Sequence, residues 1–285
     1  MNRRRYLALC GISITGMSGC VAENNQQQST DIPTTTPPTY NLDIGFSGLQ
    51  SGVVELFEDA YELTSTPDSQ YLFLDVTVPS GPRPEEGDFA FRFDGEEYVP
   101  KTDWDYPPLH RAENSSGEYP DLTGDERYRS DVDRDGWIVF ELPEQGDASE
   151  AVLSWSGGEW TPDESVRTRL ANQLPAFSLD AWNVPETVSS TANPEFELSV
   201  RNVGTQPGQF WGAVDGDGEL TTTDRMVTLV TKRISPGETE SWRVTGTNST
   251  LPYVDMVDDN EEVTHRYTLL WEGEARSQSA RVSYE

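Results

Sequence analysis

Residues 71–78 read Tyr-Leu-Phe-Leu-Asp-Val-Thr-Val, and residues 196–200 read Phe-Glu-Leu-Ser-Val. The first run has the β-branched and aromatic composition of a central strand. The second alternates apolar and polar positions, the period of a strand with one face buried. Outward from the first run lie Leu42–Phe46, Val53–Phe57, Phe89–Phe93, Trp137–Leu142 and Ala151–Trp155 as further strands, with a hairpin signal at Asp94-Gly95 before Glu97–Val99. Outward from the second lie Phe177–Trp182, Gln209–Val214, Met226–Thr231, Glu240–Val244, Arg266–Trp271 and Ala280–Tyr284. Turns are expected at Asn202-Val-Gly204 and Ser235-Pro-Gly-Glu238. Short strands divided by Gly, Pro, Asn and Asp predict an all-β chain.

One helix interrupts this pattern. Thr161-Pro-Asp-Glu164 offers a capping Thr, a Pro at the first helical position and a Glu three residues on. Val166, Leu170 and Leu174 then recur at four-residue spacing up to Pro175, and their apolar edge is expected at the junction of two domains. The division is therefore a β-sandwich over residues 41–160, a linking helix over 161–175 and a second sandwich over 176–285.

The beginning of the chain reads differently. Arg3, Arg4 and Arg5 precede a mildly apolar run from Tyr6 to Met17, and small residues lead to Cys20. A basic head, a short apolar stretch and a small-residue exit make a signal peptide over residues 1–19, too short to span a bilayer. Cys10 lies inside that segment, so Cys20 would remain as the single thiol of the mature chain, suited to lipid attachment rather than a disulfide. Residues 20–40, rich in Gln, Thr and Pro, cannot bury enough surface to offset their ordering entropy and are expected to be a disordered stalk.

The 285-residue chain carries 50 acidic and 20 basic residues, a net charge of −30. Removing residues 1–19 takes away three arginines and no acid. Nucleic acid is excluded as a partner, because it needs a basic footprint. The acidity is spread over both halves rather than gathered in one patch, and it resembles that of proteins from extreme halophiles. In molar salt the Debye length falls to about 3 Å, which screens the self-repulsion.

Other resemblances follow from short motifs. Arg-Arg-Arg-Tyr-Leu-Ala (residues 3–8) resembles the twin-arginine export consensus, and Met17-Ser-Gly-Cys20 resembles a lipobox. Val200-Arg-Asn-Val-Gly204, Gly208-Gln-Phe210 and Ile234-Ser-Pro-Gly-Glu238 resemble the cell-adhesion-related immunoglobulin-like modules of archaeal and bacterial surface proteins. Leu74-Asp-Val-Thr-Val78 and Gly136-Trp-Ile-Val-Phe-Glu-Leu-Pro143 resemble immunoglobulin-like domains of secreted lipoproteins. These imply two immunoglobulin-like sandwiches of a haloarchaeal-type lipoprotein, held by lipid on the outer face of the cell membrane.

The chemistry such a chain could carry is limited. A nucleophile needs a positioned base. The two histidines are His110, in a loop, and His265, expected on the surface at a strand edge. No Gly-x-Ser-x-Gly elbow occurs, so the chain is expected not to be an enzyme, and an envelope hydrolase is the least favoured reading. Asp131-Val-Asp133-Arg-Asp135-Gly matches the opening of a calcium loop, but Leu142 stands where a bidentate Glu is wanted. A bare acidic turn is preferred there, and no cofactor is expected. Asp215-Gly-Asp-Gly218 is a similar case, expected to be a flexible turn.

Residues 100–135 form a long loop in which Trp104, Tyr106, His110, Tyr119 and Tyr128 stand among acids. Trp104, Tyr106, His110 and Tyr119 are the candidate ligand surface, the alternative being that the aromatics fold back over the sandwich edge. Asn114-Ser-Ser and Asn248-Ser-Thr are N-glycosylation acceptors. The expected function is a non-enzymatic surface lipoprotein binding envelope proteins or glycans, with a solute-binding lipoprotein serving a transporter or receptor as its rival.

Overall fold

The computed structural model describes residues 38–57, 60–66, 68–105, 108–109, 128, 130–131, 134–189, 192–218, 225–246, 263–272 and 274–283. Met1–Thr36 and Pro37–Glu285 form separate units.

The chain is all-β, as the alternation predicts. Its first half contains β1 (Asn41–Gln50), β2 (Val53–Phe57), β3 (Ala60–Thr64), β4 (Ser69–Ser80), β5 (Ala90–Phe93), β6 (Glu96–Tyr98), β7 (Pro108–Leu109), β8 (Asp135–Pro143), β9 (Val152–Trp155) and β10 (Gly158–Trp160). After helix α1 (Glu164–Leu170) come β11 (Phe177–Asn183), β12 (Thr187–Ser189), β13 (Glu195–Asn202), β14 (Gly208–Gly218), β15 (Arg225–Ile234), β16 (Thr239–Thr245), β17 (Val263–Trp271) and β18 (Glu274–Ser283). Asp94 and Gly95 both take positive φ between β5 and β6, as an Asp-Gly hairpin requires.

Two sandwiches result. In the first, the sheet β1-β4-β8 faces the sheet β10-β9-β5-β6. Leu72, Leu74, Ile138 and Phe140 from one meet Phe91, Phe93 and Leu153 from the other. In the second, β11-β13-β16 faces β12-β18-β17-β14-β15, with Trp182, Phe196, Phe210, Tyr267 and Leu269 between them. All pairings are antiparallel except β12 with β18.

The two sandwiches share an element that the strand pattern alone does not announce. β4 is buried almost continuously from Gln70 to Leu74, because its sheet is covered on both faces. Its outer face, carrying Tyr71, Phe73, Trp137 and Val139, packs on Val53 of the small sheet β3-β2-β7. The opposite face of that small sheet presents Val54 and Tyr61 to Ala213 of β14 and Leu229 of β15, with Leu56, Leu63, Leu109 and Leu270 around them. The β2–β3 hairpin is thus a layer held between the sandwiches. At its far side the buried Asp215 carboxylate accepts the Tyr61 backbone N–H at 3.0 and 3.1 Å.

Two details differ from expectation. The helix begins two residues later than the Thr161 cap predicts. Asp163 is the N-cap, its carboxylate accepting the Val166 N–H at 2.9 Å, and Pro162 precedes the cap. Asp caps better than Thr, and it also accepts the Ser165 hydroxyl at 2.7 Å. Val166, Leu170 and Leu174 belong to the first core, and Leu174 also borders the cleft where the two halves meet. Gln70 fastens the helix there, its Nε2 donating to the Pro143 and Leu170 carbonyls at 2.8 and 3.3 Å. Pro38 and Tyr40, at the end of the expected stalk, already run along the first sandwich: the Pro38 carbonyl accepts from Ser156 Oγ at 2.7 Å, and Tyr40 N–H donates to the Ser156 carbonyl at 3.2 Å.

The expected turn at Asn202 forms around a buried side chain. Asn202 Nδ2 donates to the Gln206 and Ile234 carbonyls at 2.8 and 3.0 Å, and Oδ1 accepts the Gly204 N–H at 2.9 Å. Asn202→Ala removes the side-chain donor from the buried Ile234 carbonyl and the half-buried Gln206 carbonyl, while the Gly204 N–H keeps the Ala176 carbonyl at 3.2 Å. It should cost about 2–3 kcal/mol in a urea titration, since each orphaned group costs on the order of 1–3 kcal/mol before relaxation.

Candidate functional site

Two places in the described residues concentrate polar groups where burial or concavity gives them consequence. One is a cleft of about 300 Å³ where the halves of the chain meet. The β3–β4 turn contributes Ser65, Thr66 and Asp68, the residue after β8 contributes Glu144, and the β17–β18 turn contributes Glu272. Leu174 and Pro175 form its apolar side. Ser51 Oγ donates to Glu272 Oε1 at 3.4 Å across it. Hydroxyls and carboxylates in a concavity of this size suit a small hydrogen-bonding ligand.

The other is the interior of the second sandwich around His265. Strand β17 alternates Val263, His265, Tyr267, Leu269 and Trp271 on its buried face, so the histidine lies in the core and not on the surface. Its exposure is 0%. Neither ring nitrogen has a hydrogen-bond partner among the described residues. Burial, opposed slightly by the charge of Asp217, lowers its pKa to about 4. The Tyr267 ring lies 4.8 Å away, and its hydroxyl is likewise buried without a partner and pushed up by burial.

The Asp-Gly-Asp-Gly stretch accounts for the space this ring occupies. It is strand, the end of β14, and not a turn. Gly218 stands opposite His265 in register. A Cβ at Gly216 would lie 2.6 Å from His265 Nε2, and one at Gly218 would lie 2.6 Å from Nδ1. The glycines let the imidazole lie against the neighbouring backbone. The aspartates point the other way: Asp215 receives the hairpin, and Asp217 pairs with Arg266 at 3.2 Å.

The candidate ligand surface is only partly within the described residues. Trp104 folds back on the first sandwich, its Nε1 donating to the Lys101 carbonyl at 2.9 Å and its ring 6.3 Å from that of Tyr71. Tyr128 is buried, with its hydroxyl donating to the Pro84 carbonyl at 2.9 Å and its ring edge-on to Phe89. Burial pushes its pKa up to about 12. Tyr106, His110 and Tyr119 lie outside the described residues, as do Asn114, Asn248, Cys20, Arg3, Arg4 and Arg5. Of the calcium candidates, Asp131 and Asp135 are exposed and Asp133 lies outside. Among the described residues no group of three or more His, Cys, Asp or Glu is placed to hold a metal ion, and no helix is long and apolar enough to cross a membrane.

No family model matches the chain, and no curated protein matches it. Solved structures with some likeness include a β-glucosidase from Listeria innocua, 12% identical over 40% of this chain and 17% of that one, with a TM-score of 0.32. A β-glucosidase from Streptomyces venezuelae is 20% identical over 40% of this chain and 16% of that one, again with a TM-score of 0.32. One from Erythrobacter marinus is 14% identical over 39% and 16%, with a TM-score of 0.33. The chain spans less than a fifth of the length of these enzymes, a likeness too slight to carry anything about activity.

Proposed function

We propose that this chain is a non-enzymatic lipoprotein of a halophile envelope, exported by a twin-arginine signal, anchored through Cys20 and presenting two immunoglobulin-like sandwiches to other envelope components. The observation that supports display rather than catalysis is the shared β2–β3 layer. It joins both sandwiches through apolar contacts on each of its faces and makes them one body. A unit so joined suits a protein whose task is to hold a surface in place. The motifs at Arg3–Arg5 and Cys20 supply the address and the anchor.

A ligand-binding lipoprotein is the second reading, and the cleft between Asp68, Glu144 and Glu272 is the observation that favours it. One experiment bears on both: intact mass and membrane partition of the native protein beside Cys20→Ser. Cleavage before Cys20 with added lipid, and release of the variant into the medium, is the expected result. An unmodified Cys20 with both proteins free would overturn the anchor and leave a diffusible binding protein.

A further inference from the structure

We infer that His265 makes the second sandwich an acid-sensitive element: an interior imidazole, partnered at neither nitrogen among the described residues and pressed against Gly216 and Gly218, which on taking up a proton opens the β14–β17 end of the sandwich. This stands independently of the lipid anchor.

Among the described residues, the surroundings of the ring offer a proton little compensation. From β14 the nearest charge is Asp217, but it lies on the outer face, already paired with Arg266 of β17 at 3.2 Å. From β17 itself the neighbour is the Tyr267 hydroxyl, buried and unpartnered. β15 contributes Val227, whose side chain also meets Gly216. β18 contributes Ala280, opposite His265 in register, with Arg281 exposed beyond it. From the facing sheet, β13 contributes Phe196 against Tyr267, and β16 contributes Val244. The charges of that sheet, Asp180, Glu195, Glu197, Arg201, Glu240 and Arg243, lie outside its buried face, with Arg243 pairing with Glu195 at 3.0 Å and Glu197 at 3.6 Å. An imidazolium here would be a buried cation without an acceptor, a state that a protein avoids by moving the group to water.

The arrangement also costs the strand something. Glycine in a strand interior weakens it, and here two are needed to admit one ring. An apolar side chain with ordinary neighbours would fill the core without either penalty. What the histidine adds is a site that binds a proton more tightly when the end of the sandwich is open than when it is closed.

The sign follows from linkage. Above about pH 6.5 the ring is neutral whether the end is closed or open, and closure is at full strength. Between 6.5 and about 4 the open form binds a proton that the closed form refuses, so closure weakens as the pH falls. Below about 4 both forms are protonated and nothing more is lost.

Amide hydrogen exchange at fixed molar KCl, corrected for intrinsic rates, tests this on the full chain. Between pH 7 and pH 4.5 the opening of β14, β17 and β18 should rise by up to about 10²-fold relative to β4 and β8, and His265→Phe should abolish the difference. Equal acid profiles for wild type and variant, or loss beginning in the first sandwich, would overturn the inference. Should the variant not fold, the ring can be titrated directly by NMR in the native protein, with His110→Gln to assign it. A midpoint near 4 agrees with the inference, and one at 6 or above overturns it.

Discussion

Replacing Phe196 by Ala is expected to lower the stability of the second sandwich by about 3–5 kcal/mol, the range for deleting a buried aromatic ring. Phe196 is fully buried and joins two rings that do not otherwise meet face to face. Trp182 stacks on it at 5.1 Å and Tyr267 meets it edge-on at 4.9 Å. The substitution therefore removes apolar area, leaves a cavity and breaks two aromatic contacts. Urea unfolding in molar KCl followed by tryptophan fluorescence would read the loss. Phe196→Leu should cost roughly a third as much, because most of the volume is retained. A loss below about 1 kcal/mol for the Ala variant would mean that the ring cluster is not packed as described.

The second large effect concerns the layer between the sandwiches. Leu229→Asp places a carboxylate against Val54, Tyr61 and Ala213, where burial of an unpaired charge costs several kcal/mol. The hairpin has an alternative, which is to leave. Calorimetry of the wild type should show one transition, because each sandwich contributes a face to the same buried layer. The variant should show two, with the second sandwich melting separately. A single transition at an unchanged midpoint would show that the layer does not couple them. Leu229→Met, which keeps the volume, should retain the single transition.

How much of this could be read from the chain depends on where each contact partner lies. Strands with a strong local signal are legible even where a partner is distant, as β8 is from β4: alternation in Phe196–Val200, the β-rich run at Tyr71–Val78 and the turn chemistry of Asp94-Gly95 and Ser235–Glu238 each act locally. β3 was missed because Ala-Tyr-Glu-Leu-Thr is short and its burial comes from β14 and β15, far along the chain. The same distance hides the double covering of β4, although its almost unbroken apolar run was a sign of it. His265 was misplaced even though Val263, Tyr267, Leu269 and Trp271 share its parity. A polar residue at the end of an apolar series was given to the surface, when the period put it inside. The Asp-Gly-Asp-Gly stretch has the composition of a flexible turn, but its glycines make room for a ring on the paired strand β17. The aromatic loop resolved only in part, since Trp104 and Tyr128 fold back while the remaining aromatics lie outside the described residues.

The position of the hairpin has a consequence during synthesis. Tyr61 is made 154 residues before Asp215, the group that receives its N–H. At roughly 5–20 residues per second, that leaves an interval of about 8–30 seconds in which Val54, Leu56, Tyr61 and Leu63 have no cover. An uncovered hairpin with an apolar face is a place where nascent chains can associate. Glu55 and Glu62 stand side by side in register across β2 and β3. They lie on the face opposite Val54 and Tyr61, so the apolar face itself carries no charge while it waits for β14 and β15.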